Sequence, residues 1–383
     1  MKKIAIALIF LAAFVVVLVN GRSRREQPAN AHHQQVEYED LVGRKVWIAR
    51  DVQRIVLLRS KDIYLLAALL GEDLPARLVA WGPDLKVDDA DLHQRLLAKF
   101  PHLGEIIVTG DVYSDGLDVE QLTRIGADLI IADKFMRGRK FAERMDATGL
   151  PVVYLDGSSD PLTGPQNGLR LLGKILDRQD RARMITEFID GQVRIVVSRI
   201  ASNTPPAPTV YLESGNLGPD GYCQCYGAIG ATRQQTSWGA ILRALQVHNI
   251  AEDRVVGSAP ITPEALLKAD PQIIVITGQN WSRFKSPDAM QLGFNVTAAD
   301  ARRRLQGFTT RPGWNLLSAV RNKRVYGVFH NTVSPTVFSG VQALAKDCYP
   351  ELFPDLDPEK NLKVFYDRFM PVTYDGTWMC SIE

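Results

Sequence analysis

The chain has 383 residues, with 45 Lys+Arg against 43 Asp+Glu and a formal net charge of +2. Hydrophobic residues make up 46% and charged residues 23%, which excludes a disordered chain, a collagen-like fibre and a polytopic membrane protein. Near-neutral charge gives no global electrostatic case for nucleic acid, four Cys are too few for a disulfide-built scaffold, and the length suggests about two domains at roughly 150 residues each.

Lys2 and Lys3 precede an unbroken apolar run over 4–19, and small residues follow at Gly21 and at Ala29-Asn30-Ala31. This is the layout of a secretory signal, with cleavage fitting after Ala31 or after Gly21. Arg22, Arg24 and Arg25 are unusual exported flanks, so an uncleaved membrane anchor stays open as the alternative. No Cys stands near the junction to carry a lipid. Removing 1–31 takes away five basic residues and Glu26 and leaves 40 against 42, a net of −2. A bound anion must then be held by local Arg or Lys, not by overall charge.

All four Cys lie in the second half: Cys223, Cys225, Cys348 and Cys380. Export would permit disulfides, and four Cys allow three pairings that sequence cannot choose between. A Cys223–Cys225 bond would be strained. A metal site at this Cys-x-Cys lacks a nearby third ligand.

From Arg54 onward, short apolar runs alternate with helical stretches. Strands are expected at 55–58, 78–81, 128–132 and 152–155, and helices at 62–70, 118–125 and 141–147. Continuous Val/Ile/Leu runs bounded by Gly, Pro and Asp indicate α/β layers with a largely parallel sheet. The same grammar restarts after Pro208. Strands are expected at 210–212, 273–276 and 325–329, and helices at 238–245, 264–269, 298–305, 335–345 and 358–369. Between the halves lies a long helical candidate, 181–200. Ile185, Phe188, Ile189, Val196, Val197 and Ile200 fall on one face. Such a helix spans about 30 Å at ~1.5 Å per residue. Gly191 inside it costs up to ~1 kcal/mol, so either packing supports it or two helices break there.

A weak internal repeat suggests two similar lobes. Glu120-Gln121-Leu122 precedes the apolar run beginning at Leu129, and Glu264-Ala265-Leu266 precedes the run beginning at Ile273; the offset from Glu is nine in both.

No Gly-x-Ser-x-Gly, HExxH, P-loop or GxGxxG before a helix is present, and no His pairs with a nucleophile or a second ligand. No catalytic residue is therefore expected. Instead, aromatic and basic residues gather in loops at strand ends. They are Arg59, Trp81, Tyr113, Lys134 and Arg137 in the first half, and Tyr222, Tyr226, Trp238, Trp281, Arg311, Trp314 and His330 in the second. In open α/β sheets, ligands bind beyond the carboxyl ends of the strands. Aromatics supply rigid contact area and Arg supplies charge-assisted hydrogen bonds. Trp81, Trp281 and Trp314 are also large enough to be simple packing. Arg311, in the constrained Arg311-Pro312-Gly313-Trp314 loop, is expected to touch ligand, and Arg59 to form an anion site at a strand-to-helix turn. One of Lys134, Arg137 and Arg139 is expected in the site, the others forming a solvated charge run. His330 could bind a metal or serve structure.

Several segments together resemble one family: RIVLL at 54–58, Pro101-His102-Leu103-Gly104, DVEQLTRIGADLII at 118–131, Asn249-Ile250-Ala251 and, most specifically, RPGWNLLSAVRNKRVY at 311–326. They look like the periplasmic binding proteins of iron-siderophore, vitamin B12 and haem ABC importers, over about residues 40–383. The tail from Ser334 to Thr377 is similar to a branch that includes siderophore binders and binders of molybdate and tungstate. The resemblance implies two α/β lobes with mainly parallel central sheets, bridged by one long α-helix, with a ligand cleft between them. The corresponding division is a signal at 1–31, an N-terminal lobe at 32–178, the helix at 179–204 and a C-terminal lobe at 205–383. It also implies a monomer that captures a chelated metal in the periplasm and hands it to an inner-membrane permease, with one surface Glu per lobe docking onto permease Arg residues. By motif position these are Glu120 and Glu264. The segment from Gly221 to Tyr226, with its two Cys, departs from the family pattern.

The expected ligand is a ferric siderophore, with no resident cofactor or metal. An oxoanion, haem or a corrinoid is the alternative within the family, Tyr222, Tyr226 and His330 being candidate haem ligands. An exported α/β enzyme or an anchored sensor is the alternative of another class.

Overall fold

The structure, a computed structural model, describes residues 35–157, 160–227, 237–282, 286–330 and 334–383. The expected export segment at 1–31 lies outside these residues. The chain divides into Met1–Val36 and one compact unit, Glu37–Glu383. Strands β1 (Gln35–Glu39) and β2 (Lys45–Ala49) form a two-stranded sheet.

The N-lobe is built on β3 (Ile55–Leu57), β4 (Leu78–Trp81), β5 (Ile107–Val108), β6 (Leu129–Asp133) and β7 (Val152–Leu155), in the order β5-β4-β3-β6-β7 with all neighbours parallel. Every residue of β3, β6 and β7 is buried, as aliphatic strands covered on both faces by helices must be. Asp128 fixes the entry of β3 beside β6: its Oδ2 accepts the amides of Gln53 at 2.9 Å and Arg54 at 2.8 Å. Asp118 is not the first helical residue but the cap of the Val119–Ile125 helix, accepting the amides of Glu120 and Gln121. The helix ends at Gly126, whose φ of +63° only glycine adopts freely.

The C-lobe sheet has a parallel centre of β8 (Thr209–Ser214), β12 (Ile273–Gly278) and β13 (Val325–Phe329). On one side β9 (Cys225–Tyr226) runs antiparallel to β8 and β11 (Ser258–Ala259) antiparallel to β9; β10 (His248–Asn249) also pairs with β8, in parallel. On the other side β14 (Met379–Ser381) runs antiparallel to β13. The Pro263–Ala269 helix leads into β12, as Val119–Ile125 leads into β6, so the internal repeat marks equivalent units of the two lobes.

Between the lobes runs one uninterrupted helix, Gln179–Asn203, of 25 residues, about 37 Å at ~1.5 Å per residue. Gly191 does not break it; packing offsets its propensity. Ala182, Ile185, Ile189, Val196 and Ile200 are buried, while Phe188 is half-buried against Phe338 at 5.4 Å. A Cβ on Gly173 would lie 2.5 Å from that of Ala182, so the Gly164–Ile175 helix approaches the long helix as closely as only glycine permits. At its start, Arg181 donates from Nε to the Ala68 carbonyl at 2.7 Å and from Nη2 to the Phe369 carbonyl at 3.0 Å. One guanidinium thus satisfies end carbonyls of the Ile63–Leu70 and Pro358–Phe369 helices.

Candidate functional site

A cleft of about 410 Å³ opens between the lobes. Its N-lobe wall is Lys61, in the turn after β3, Asp88, in the short helix after β4, and Tyr113, after β5. Its C-lobe wall is Ser214 and Asn216 at the end of β8, Gln224 and Tyr226 at β9, Trp281 after β12 and His330 after β13. Most of these residues follow the carboxyl ends of parallel strands, which is where open α/β sheets place their ligands. Of the residues picked out in the sequence, the structure brings Tyr113, Tyr226, Trp281 and His330 together at this cleft.

The two charged groups among the described lining residues face each other, Lys61 Nζ lying 3.7 Å from an Asp88 oxygen. His330 Nδ1 is 2.7 Å from Thr277 Oγ1, which leaves Nε2 as the imidazole's remaining ligand atom. Its ring sits 5.1 Å from Trp281, 6.3 Å from Trp238 and 6.4 Å from Tyr226. Burial, reinforced by the Lys61 charge, holds its pKa down to about 3, so the ring is neutral at any ordinary pH. Burial raises the phenol pKa values of Tyr113 and Tyr226, which are therefore protonated donors.

The expected cations are placed elsewhere, each paired with a carboxylate. Arg59 is not an open anion site. It is buried, with Nε donating to Asp62 at 3.0 Å and Nη2 lying 2.7 Å from Asp133 at the end of β6. Burial pushes Asp62 up against the opposing pull of Arg59. Arg311 is not in the cleft lining either. It is buried in a two-point pair with Glu213, and its remaining N–H groups donate to the carbonyls of Gly218, Pro219 and Gly221. Its guanidinium lies over Tyr222 at 4.5 Å and over Trp314 at 4.8 Å. Lys134 pairs with Asp156 at 2.9 Å, and Arg137 with Asp146 at 2.6 Å.

Three further aromatics are packing. Trp81 is buried beside His93, with ring centroids 5.4 Å apart. Trp238 and Trp314 are fully buried, and Tyr222 OH accepts the Trp314 indole N–H at 2.9 Å. Arg311, Tyr222 and Trp314 thus brace the loop that carries Asn216, Gln224 and Tyr226.

Lys61, Asp88, Ser214, Asn216 and Gln224 line the cleft without having been singled out in the sequence. Their one signal was position: Lys61, Asp88 and Asn216 follow a buried strand, Ser214 ends one and Gln224 precedes one. All four Cys are free thiols, three of them buried. Cys223 donates to Asn216 Oδ1, and burial raises Cys225 to about 12, which makes it inert. Among the described residues no group of three or more His, Cys, Asp or Glu could hold a metal ion.

Comparison with known proteins places this geometry. The periplasmic binding protein family matches residues 77–329. The TroA-like periplasmic binding protein FepB from Veillonella parvula is 32% identical, with a TM-score of 0.82 covering 91% of this chain and 100% of that one. The ABC transporter substrate-binding lipoprotein YvrC of Bacillus subtilis is 20% identical over 325 residues, 83% of this chain and 87% of the relative. The molybdate-binding protein MolA of Haemophilus influenzae is 19% identical over 360 residues, 88% of this chain and 91% of the relative. The chain therefore belongs to the periplasmic binding protein family, substrate-binding proteins of ABC transporters and not enzymes.

Proposed function

We propose that the protein captures a ferric siderophore in the cleft between its lobes and delivers it to an inner-membrane permease. The observation that carries this reading is the cleft itself, about 410 Å³ and lined by Tyr113, Tyr226, Trp281, Lys61 and neutral His330. That volume lies in the ~300–1,000 Å³ range suited to a drug-sized ligand. A bare oxoanion instead needs a close nest of backbone N–H groups. The aromatic rings offer rigid apolar faces to a bulky chelator, and Lys61 offers charge to its oxygens. Haem is the second reading, favoured by the neutral imidazole of His330 beside Tyr226, either of which is an axial-ligand type.

The functional division follows: export directed by 1–31, an N-lobe at 32–178, the spacer helix at 179–204 and a C-lobe at 205–383. Among the described residues no helix is long and apolar enough to cross a membrane. Glu120 and Glu264 are the proposed permease contacts. Both are exposed, and each is the second residue of a capped helix, Val119–Ile125 under Asp118 and Pro263–Ala269 under Thr262.

Tryptophan fluorescence of residues 32–383, titrated with ferric catecholate, ferric hydroxamate, haem, cobalamin and molybdate, tests the reading. Saturation by a ferric chelate, with the signal reduced in Trp281→Phe, is expected. Saturation by molybdate alone would overturn it.

A further inference from the structure

Beside the cleft, and apart from the long helix, a further tie joins the lobes. The C-lobe stretch after β12, residues 279–282, lies along N-lobe residues 86–91. Gln279 Nε2 donates to the Asp88 carbonyl, and the Ser282 amide donates to the Val87 carbonyl at 2.9 Å. Asp91 joins the two sides through both of its oxygens. Asn280 Nδ2 donates to Oδ2 at 3.0 Å, and Asn295 Nδ2 donates to Oδ1 at 3.1 Å. Asp91 is 8% exposed, so these bonds are formed largely out of water, where a charged acceptor is strongest. Arg95 extends the tie, reaching Asn295 Oδ1 at 2.7 Å and Asp375 at 2.5 Å.

The tie bears on the cleft through its neighbours. Trp281, which lines the C-lobe wall, stands between Asn280 and Ser282, both of which are bonded across to the N-lobe. Asp88, which lines the N-lobe wall, carries the carbonyl that Gln279 grips. We propose that Asp91 is a positioning residue for the ligand site. Its carboxylate clamps the 279–282 strap, sets Trp281 opposite Asp88, and keeps the lobes from parting at this end of the cleft. A ligand then meets a wall that is already ordered, and its release requires the strap to undock. The consequence for ligand rests on the function proposed above; the tie itself does not.

Two variants and two readouts test this. In Asp91→Ala both cross-lobe acceptors are lost. In the reciprocal pair Asp91→Asn with Asn280→Asp, the amide at position 91 donates to the carboxylate at 280 and still accepts from Asn295, so the clamp is rebuilt. Hydrogen exchange needs no ligand. In Asp91→Ala the Ser282 amide should exchange about tenfold faster or more, while the Ile274 amide, bonded to the Arg324 carbonyl in the sheet, should be unchanged. The reciprocal pair should return Ser282 to native protection. Equal acceleration of Ile274, no acceleration of Ser282, or failure of the reciprocal pair to restore it would each overturn the proposal. In the second readout, ferrioxamine B should leave Asp91→Ala about tenfold faster with little change in association rate. An unchanged release rate would overturn the positioning role. If the native protein binds no member of the ligand panel, the proposed function fails while the exchange result still decides the tie.

Discussion

Arg311 and Glu213 meet in the C-lobe as a buried two-point ion pair, Nη1 to Oε2 at 2.7 Å and Nη2 to Oε1 at 3.1 Å. Glu213 also accepts the Tyr211 hydroxyl at 2.7 Å and the Cys223 amide at 2.8 Å. The pair therefore ties β8 to the 218–223 loop, and that loop presents Gln224 and Tyr226 to the cleft. An arginine that reads in sequence as a ligand contact is the support beneath the wall of the cleft.

Removing one partner leaves the other charge buried and unpaired. Arg311→Ala or Glu213→Gln should cost about 3–5 kcal/mol of stability. Arg311→Lys should not restore it, since an ammonium cannot make the paired fork. Urea unfolding followed by circular dichroism measures this. Native stability together with weakened ligand binding would return Arg311 to the site.

The titration of His330 has a definite sign. Its folded pKa of about 3 lies below the ~6.5 of an unfolded His, so between these values the unfolded chain binds a proton that the native state refuses. His330 therefore lowers stability as pH falls through that window. Asp89, raised to about 6 chiefly by burial, acts oppositely, adding stability as pH falls from about 6 towards its unfolded value near ~3.9. His330→Gln should lose less stability than the native protein between pH 6.5 and 4, and Asp89→Asn should lose more. Unfolding midpoints across this pH range give the comparison, and identical curves for His330→Gln and the native protein would show that the imidazole titrates normally.

Glu120 and Glu264 are exposed and are not among the residues that line the cleft. The double variant Glu120→Ala, Glu264→Ala should bind ligand as the native protein does and fail to support uptake through the permease. Exposed charge pairs act mainly on association rate, so docking should also weaken with salt. Uptake assays in cells lacking the native copy decide this. Unimpaired uptake would free both residues from docking.

Much of the architecture was legible because its signals are local. The runs at 55–58, 78–81 and 152–155 are apolar and sharply bounded, and the long helix shows its period directly. The Gly164–Ile175 helix was not legible: Gly164, Pro165, Gly168 and Gly173 give it the composition of a loop, and the glycine at 173 is what lets it pack close against Ala182 of the long helix. In the site, Tyr113, Tyr226, Trp281 and His330 were legible from residue type and position beyond a strand. Arg59 and Arg311 misled because their roles depend on Asp133 and Glu213, which only the folded sheets bring near. Lys61, Asp88, Ser214, Asn216 and Gln224 are ordinary polar residues until the two lobes face each other.

If this cleft holds a metal chelate, as proposed, native mass spectrometry of the protein recovered from iron-starved cells reads the cargo directly. The proposed function predicts a bound species with the iron isotope pattern and the mass of an organic chelator, absent from a variant combining Trp281→Ala with His330→Ala. A bound molybdate or tungstate ion, or a chelate retained equally by that variant, would contradict it.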